Sequence, residues 1–503
     1  MEFRDKIVGG TNIMDKSKSY IMAYDFGTSG VKSSLVDLNG NLIGKSAVGT
    51  YKLYSPHDKW AEQSPDEYWD AVCKSTKKVI ADNGIDNKAI KGVIFSAMWK
   101  GVMPCDKDLN PLYNSIIWLD GRASNEAREL TEKSGLNTGT GKDYFPRLYW
   151  VKKNMPEIFE KTAYLLETNA FLKYKMAGTL TSDITDCFAR SKEPTRDRNW
   201  KKVLETAGIP ESMFPRSVYP HEKVGEVTKK AAEETGLAEG TPVFGGSGDA
   251  PAVTIGSGAG YDGGIHIYLG SSGWCGFTHG SEYKAITIGK DMSASLYGMQ
   301  AVCLSFNWAI SQFYKKEQEE LGGDIFKFVD RDIDDVPPTS DGLIFTPWVF
   351  GEKGPIDEYA RGMFFNMKSS HDRRYFINAV MEGVAYYLRF RAESSKIESD
   401  APIRVVGGGA SGDKWMQIFA DVFNKTVEVP ANPRNVGTIG VASFAMVGLG
   451  IYENTYEALK NIKPERVYTP NKENVEKYEK MYKIFCELYP ATKDIYAKLN
   501  GGK

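Results

Sequence analysis

Three times along this chain an apolar, strand-like run stops in a turn built of glycine and small hydroxyl residues. Tyr20–Asp25 runs into Phe26-Gly27-Thr28-Ser29-Gly30, Ile265–Leu269 into Gly270-Ser271-Ser272-Gly273, and Ile403–Val406 into Gly407-Gly408-Gly409. Small residues at a strand end let backbone N–H groups and hydroxyls close around phosphate oxygens. A plain hairpin turn satisfies any one of these strings taken alone. The first two lie about 240 residues apart and each heads a presumed domain, which predicts paired phosphate loops facing across a cleft. The third leaves room for a flat base and ribose to approach the backbone, or serves as a tight turn for packing.

The surrounding pattern is α/β. Ser33–Asp37, the Asn39-Gly40 turn and a strand from Asn41 predict a hairpin. Ser64-Pro65-Asp66-Glu67 predicts an N-cap, an N1 proline and a capping-box glutamate. Trp69, Val72, Cys73, Thr76, Val79 and Ile80 then share one helical face, and Asn83-Gly84 ends the helix. Ser411 reads as the cap of a helix carrying Trp415, Ile418, Phe419, Val422 and Phe423, followed by a strand at Thr426–Pro430. From about Asn454 onward the pattern reads as helical packing. The domain change is expected at the glycine cluster of residues 258–264, giving an extension (1–19), a first domain (20–260) and a second (261–503). Residues 1–13 are expected to lie outside the fold, with Met14 a candidate natural start.

A chain of 503 residues needs more than one core. Its 42% hydrophobic and 25% charged residues place it in the soluble globular range. Lys plus Arg (63) nearly balances Asp plus Glu (65), so the charge gives no footprint for nucleic acid or an anionic membrane. No apolar run approaches the ~18 residues of a membrane span. Six scattered cysteines (Cys73, Cys105, Cys187, Cys275, Cys303, Cys486) form no C-x-x-C pair, which fits a reducing, cytoplasmic setting. Two apparent nucleotide motifs fail on context. Gly40–Ser46 is one residue short of a P-loop and starts in a hairpin turn. Gly258-x-Gly260-x-x-Gly263 has its helix before it and its strand after it, the reverse of a dinucleotide fold.

Asp25, at the end of a strand, is placed to hold Mg²⁺ through water. Asp249 follows a strand at Val243–Gly246 and opens a helix with Pro251 near its start. A helix N-terminus favours the anion, so Asp249 is expected to be ionised at neutral pH. From the residues alone it is either a general base or a helix cap.

Taken together, YDFGTSGVKSSLVD, WAEQSPDEYW, IIWLDGR, SDITD, GGSGDAPAVTIGSG, LGSSG, PWVFGEKGP and GGGASGDKWMQIFADVF resemble the FGGY carbohydrate kinases of the actin-like ATPase superfamily, and within them the xylulokinases. These strings spread over residues 20–446. The resemblance implies two ribonuclease H-like domains with a cleft between them, binding ATP with Mg²⁺ and a sugar or polyol, with no nucleic-acid or membrane partner and a homodimer unsurprising. It implies Asp249 as catalytic base, Asp25 and Asp249 at the metal, and Gly27, Thr28, Ser29, Lys32, Gly270, Ser271 and Ser272 around the phosphates. Gly408, Gly409 and Ser411 would line the nucleotide pocket, and Met98, Trp99, Asp120, Arg122 and Asp249 the sugar. The chain departs from the xylulokinase pattern at Met98-Trp99-Lys100-Gly101, where Met-His-Gly is usual, at Leu119 in place of an asparagine, and at Ala250 in place of another. Trp99 either stacks on a sugar face or fills space. These changes leave the phosphate chemistry intact and the sugar open, a ketopentose or related polyol being expected. The competing expectation is a non-catalytic actin-fold protein, a sensor or scaffold that binds nucleotide or sugar.

Overall fold

The computed structural model describes residues 15–185, 198–280, 286–289, 292–352 and 354–501. The expectations for residues 1–13, for Met14 and for Cys187 lie outside them. The chain divides into two compact units. Among the described residues, the first takes 15–185, 198–256, 286–289, 292–293 and 437–462, and the second takes 257–280, 294–352, 354–436 and 463–501.

The first unit is built on a mixed sheet. The expected hairpins form as β1 (Tyr20–Phe26), β2 (Gly30–Asp37) and β3 (Leu42–Thr50), with Gly40 at φ 87° in the second turn. Helix α1 (Pro65–Asn83) follows and ends on Gly84 at φ 60°, a left-handed position that glycine occupies without strain. Ser64 stands at its N-cap but makes no side-chain capping bond. Glu67, expected to complete the capping box, instead accepts from Lys52 N at 2.7 Å and from the Tyr54 hydroxyl at 2.5 Å. Then come β4 (Ile90–Ala97), β5 (Lys223–Glu226), β6 (Pro242–Phe244), the two-residue β7 (Ser247–Gly248) and α2 (Asp249–Thr254).

The sheet order is β5-β6-β4-β1-β2-β3, with β7 also paired to β4. β1, β6 and β7 run parallel to β4, whereas β2, β3 and β5 run antiparallel to their neighbours. β1 reads as a continuous apolar run because both its faces are covered. Met22, Tyr24 and Phe26 pack with α1, while Ile21 and Ala23 pack with Ile439, Ala442 and Met446 of the helix Val436–Gly448.

The second unit repeats that plan without repeating the sequence. β8 (Ile265–Leu269) pairs antiparallel with β9 (Gly273–His279) and parallel with β10 (Ile403–Val406). β10 is parallel to β11 (Val427–Pro430), which is antiparallel to β12 (Pro464–Tyr468). This order and sense match β2-β1-β4-β6-β5. Helices α3 (Cys303–Phe313), α4 (Arg373–Glu393), α5 (Asp413–Phe423) and α6 (Lys472–Asn500) bury one large core against it.

Two local expectations need correction. Gly412, not Ser411, is the N-cap of α5, because Gly408–Ser411 forms a tight 3₁₀ turn. The tail is not all helical: β12 alternates half-buried and exposed residues at the sheet edge, a weak pattern that a proline and two charged residues obscure. Both apparent nucleotide motifs resolve as anticipated, Gly40–Ser46 into a turn and strand and residues 258–263 into the end of a kinked helix before β8. The five described cysteines are free thiols. No helix among the described residues is long and apolar enough to cross a membrane.

Candidate active site

Parallel strands bring their carboxyl ends to one edge, and in an open α/β sheet that edge is where ligands bind. In the first unit Asp25 pairs in register with Ser96, and Ser96 with Ser247 on its other side. Asp25, Met98, Trp99 and Asp249, scattered over 225 residues, are thereby gathered at one end of three neighbouring strands. The Ser96 hydroxyl sits 3.5 Å from both Asp25 Oδ1 and the Gly248 carbonyl.

The turn after β1 is held from three directions. Gly27 N–H closes on Gly30 O at 3.0 Å, and the Tyr51 hydroxyl donates to the Gly27 carbonyl. Gln63 Nε2 donates to Thr28 O at 2.7 Å, and Trp118 Nε1 to the Thr28 hydroxyl at 3.1 Å. Gly27 and Ser29 are exposed and Thr28 is half-buried. Lys32 faces Asp25 across the hairpin register. Tyr51, Gln63 and Trp118 were not among the candidate site residues, because each acts only through a residue far away in sequence.

Asp249 is the first residue of α2, and its Oδ1 accepts from Ala250 N at 2.8 Å. The expectation of an ionised carboxylate does not hold for the protein alone. Asp249 as a residue is half-buried, yet burial of its carboxyl pushes it up to about 7, and the charge of nearby Asp25 adds to the shift. The backbone N–H bonds at the helix start act the other way and lose, since one turn of helix cannot offset both desolvation and a like charge. Burial also raises Asp25, with Lys32 and Ser96 opposing it.

The helix Val436–Gly448 supports both carboxylates through its glycines. A Cβ on Gly437 would stand 2.5 Å from Asp25 Oδ2, and one on Gly440 would stand 1.9 Å from the Ala252 carbonyl of α2. Only glycine lets this helix lie so close.

Of the expected sugar-side residues, Met98 is core, 2% exposed, with its N–H on Phe26 O at 3.2 Å. Trp99 lies against the Gly248 backbone, and its buried indole N–H has no hydrogen-bond partner among the described residues. Asp120 is fully buried and occupied by protein donors: Ala61 N at 2.6 Å and Arg122 through its N, Nε and Nη2 at 3.0, 2.8 and 2.7 Å. Arg122 also pairs with Glu62 at 2.7 Å and lies 3.6 Å over the Trp60 ring and 4.8 Å from that of Trp150. Its Nη1 has no partner among the described residues.

The second unit carries its own half-site. β8 and β10 are parallel neighbours, so Gly270–Ser272 and Gly407–Ser411 emerge side by side. The first loop is closed by Gly270 N–H on Ser272 O at 3.0 Å. It is tied to the start of α3 through Val302 N on Ser271 O and Cys303 N on Gly270 O, each also at 3.0 Å. Gly407, at φ 97°, packs where a Cβ would meet Leu269 O at 2.5 Å. Gly408 faces open space, while a Cβ on Gly409 would press on Leu269 at 2.8 Å. Arg466 of β12 clamps the far side, with Nη2 on Ala410 O at 2.6 Å and Nη1 on Asp413 Oδ1 at 2.7 Å.

Comparison with known proteins agrees with this architecture. The FGGY family of carbohydrate kinases matches with its N-terminal domain over residues 20–256 and its C-terminal domain over 276–449. A xylulose kinase of Staphylococcus epidermidis (strain ATCC 12228 / FDA PCI 1200) is 30% identical over 512 residues, covering 96% of this chain and 99% of that one. A gluconokinase of Bacillus licheniformis is 25% identical over 511 residues, covering 96% and 98%. Among solved structures, ligand-bound xylulose kinase from Lactobacillus acidophilus superposes with a TM-score of 0.84 at 23% identity, over 96% of this chain and 100% of that one.

Proposed function

Because this chain belongs to the FGGY family of carbohydrate kinases, we propose that it transfers the γ-phosphoryl group of ATP to a hydroxyl of a ketopentose or related polyol, with a xylulose-like acceptor favoured. The relative called a gluconokinase, at 25% identity, keeps other sugars in play, as do Trp99, Leu119 and Ala250.

The observation that carries the reading is Asp249 at the strand ends beside Asp25, with its carboxyl pushed up to about 7. A base with a pKa near the working pH accepts a proton well. In the reaction an acceptor oxygen bonds to the γ-phosphorus, the bond from that phosphorus to the bridging oxygen of ADP breaks, and the hydroxyl proton passes to Asp249. Phosphoryl transfer asks the protein mainly for placement and charge compensation. Gly27, Thr28, Ser29 and Lys32 would form the phosphate-binding turn of the first unit, and Gly270, Ser271 and Ser272 that of the second. Gly408, Gly409 and Ser411 would take the nucleoside. Trp99 Nε1 and Arg122 Nη1, two buried donors without a partner among the described residues, would have capacity left for sugar oxygens. Asp120 holds Arg122 in place.

The donor set fits Mg²⁺. Two desolvated carboxylates, one raising the other, are short of positive charge, and hard oxygen ligands suit that ion. When bound it would neutralise phosphate charge; Asp25 would hold it through water, with Asp249 alongside.

The test is acceptor-stimulated ADP release with MgATP across D-xylulose, L-xylulose, D-ribulose, D-gluconate, erythritol and D-arabinitol, with ³¹P NMR locating the phosphate. Strong stimulation by a ketopentose or polyol supports the reading. Stimulation by D-gluconate alone would replace its acceptor, and binding without turnover would favour a sensor.

A further inference from the structure

The carboxylate of Asp249 can work only if the peptide before it is fixed, and a buried polar network outside the expected site converges on that peptide. The loop Gly245–Gly248 enters α2. Lys173, fully buried on the helix Thr168–Ala177, donates to Gly245 O at 2.7 Å. Gly246, at φ 77°, packs so tightly that a Cβ would stand 2.4 Å from Phe95 O. The Ser247 hydroxyl donates to Gly248 O at 3.0 Å. Gly248 N–H, on the other face of the loop, donates to Thr185 Oγ1 at 2.9 Å.

Thr185 is a directed link. Its hydroxyl proton goes to Asp183 Oδ1, which leaves a lone pair for Gly248 N–H. Asp183 Oδ1 also accepts from Thr185 N at 2.9 Å, which fixes the turn, and Oδ2 accepts from Asn169 Nδ2 at 2.8 Å. Asn169, Asp183 and Thr185 are 3%, 3% and 1% exposed, so water cannot substitute for any of these bonds. Burying such a set is costly, and the bonds above satisfy the Thr185 hydroxyl and both Asp183 oxygens, leaving Asn169 Oδ1 without a partner among the described residues. A loop needing only to turn could be stabilised by apolar packing. This arrangement instead holds Gly245 O, Gly248 O and Gly248 N–H, the last through Thr185 and one residue from the proposed base.

We propose that Asp183 and Thr185 are positioning residues for phosphoryl transfer: Asp183 orients the Thr185 hydroxyl, which holds Gly248 and so aims the Asp249 carboxylate. The inference rests on the reading of Asp249 as base. Without the Thr185 oxygen, Gly248 N–H is buried and unpaired, and the loop relaxes to find another acceptor. A displacement of ~1 Å at a reacting group can cost ~10²-fold in rate.

The experiment compares Thr185→Val, which keeps the volume and removes the acceptor, with Thr185→Ser, which keeps the oxygen, alongside Asp249→Asn. Each full-length variant is assayed for ADP release with MgATP and the fastest of the six acceptors named above. Hydrogen exchange is followed in the peptide spanning residues 245–252. In Thr185→Val, kcat falls about 10- to 100-fold while KM for ATP and acceptor stays within about twofold, and Gly248 loses amide protection. Thr185→Ser restores most of kcat and the protection. Thr185→Ala gives the same readings if the valine variant does not fold. Wild-type kcat or unchanged Gly248 protection in the folded variant overturns the proposal while leaving Asp249 as base. Full turnover in Asp249→Asn removes the base itself, and the proposal with it.

Discussion

A buried donor without a partner is a free-energy deficit of roughly 1–3 kcal/mol, and Trp99 carries one against Gly248, the residue before Asp249. A sugar oxygen is the partner that the proposed function supplies. Trp99→Phe keeps a ring and removes the N–H, so KM for the acceptor should rise about tenfold with KM for ATP unchanged. Steady-state kinetics with each substrate varied in turn would show it, and an unchanged acceptor KM would make Trp99 a space-filler. Residues of this kind were legible only in part. Asp25 and Thr28 stand out because strand and turn chemistry are local. Gln63, Trp118 and Thr185 do not, since their partners lie 35, 90 and 63 residues away and no local pattern marks them. The charge state of Asp249 was misjudged for a related reason. The helix start is written in the local sequence, whereas Asp25 and the burial that outweigh it are not.

At the scale of elements, helix starts and strand ends were read most faithfully where the signal was steric. Gly84 closes α1 because a left-handed residue there favours glycine, and Gly40 turns the hairpin for the same reason. Capping was read less well, because Glu67 has better partners outside its own helix. The late strand β12 escaped because edge strands tolerate charge and proline. How elements lock together is clearest at Glu382 of α4. Its carboxylate accepts from Thr339 N at 2.8 Å, Ser340 Oγ at 2.8 Å, Asn378 Nδ2 at 3.0 Å and the Tyr478 hydroxyl of α6 at 2.9 Å. Burial nevertheless wins over these four donors and pushes Glu382 up to about 7. Its unfolded value is near the ordinary 4.5, so the folded protein holds this proton more tightly than the unfolded chain does. The associated stability is full below pH 4.5 and is lost as pH rises through 7. Glu382→Gln does not titrate. Its Tm relative to the parent should therefore shift in the variant's favour between about pH 4.5 and pH 7 and level off above. A pH-independent difference would mean that the four donors keep Glu382 ionised throughout.

For the whole molecule, the plan is one sheet topology used twice, β2-β1-β4-β6-β5 and β9-β8-β10-β11-β12, each delivering loops at the ends of parallel strands. The paired turns at Gly27 and Gly270 announced this duplication in the sequence, although no residue-level repeat accompanies it. Local patterns carry no mark of the grouping of residues 437–462 with the first unit. The need for Gly437 and Gly440 becomes apparent only when their helix is seen against Asp25 and α2. The proposed division of labour, acceptor chemistry on the first unit and nucleoside binding on the second, has a direct kinetic consequence. Gly409→Ala would press a methyl on Leu269 and should raise KM for ATP severalfold while leaving acceptor KM alone, the converse of Trp99→Phe. A rise in both constants would refute that division.

The most direct test of the account is the acceptor-stimulated turnover of Asp249→Asn, measured as ADP release with MgATP and the best of the six acceptors. If Asp249 takes the proton, the variant should fold and bind ATP like the parent yet lose about 10²–10⁴-fold in kcat. A folded Asp249→Asn that turns over at the parent's rate would contradict the account at its centre.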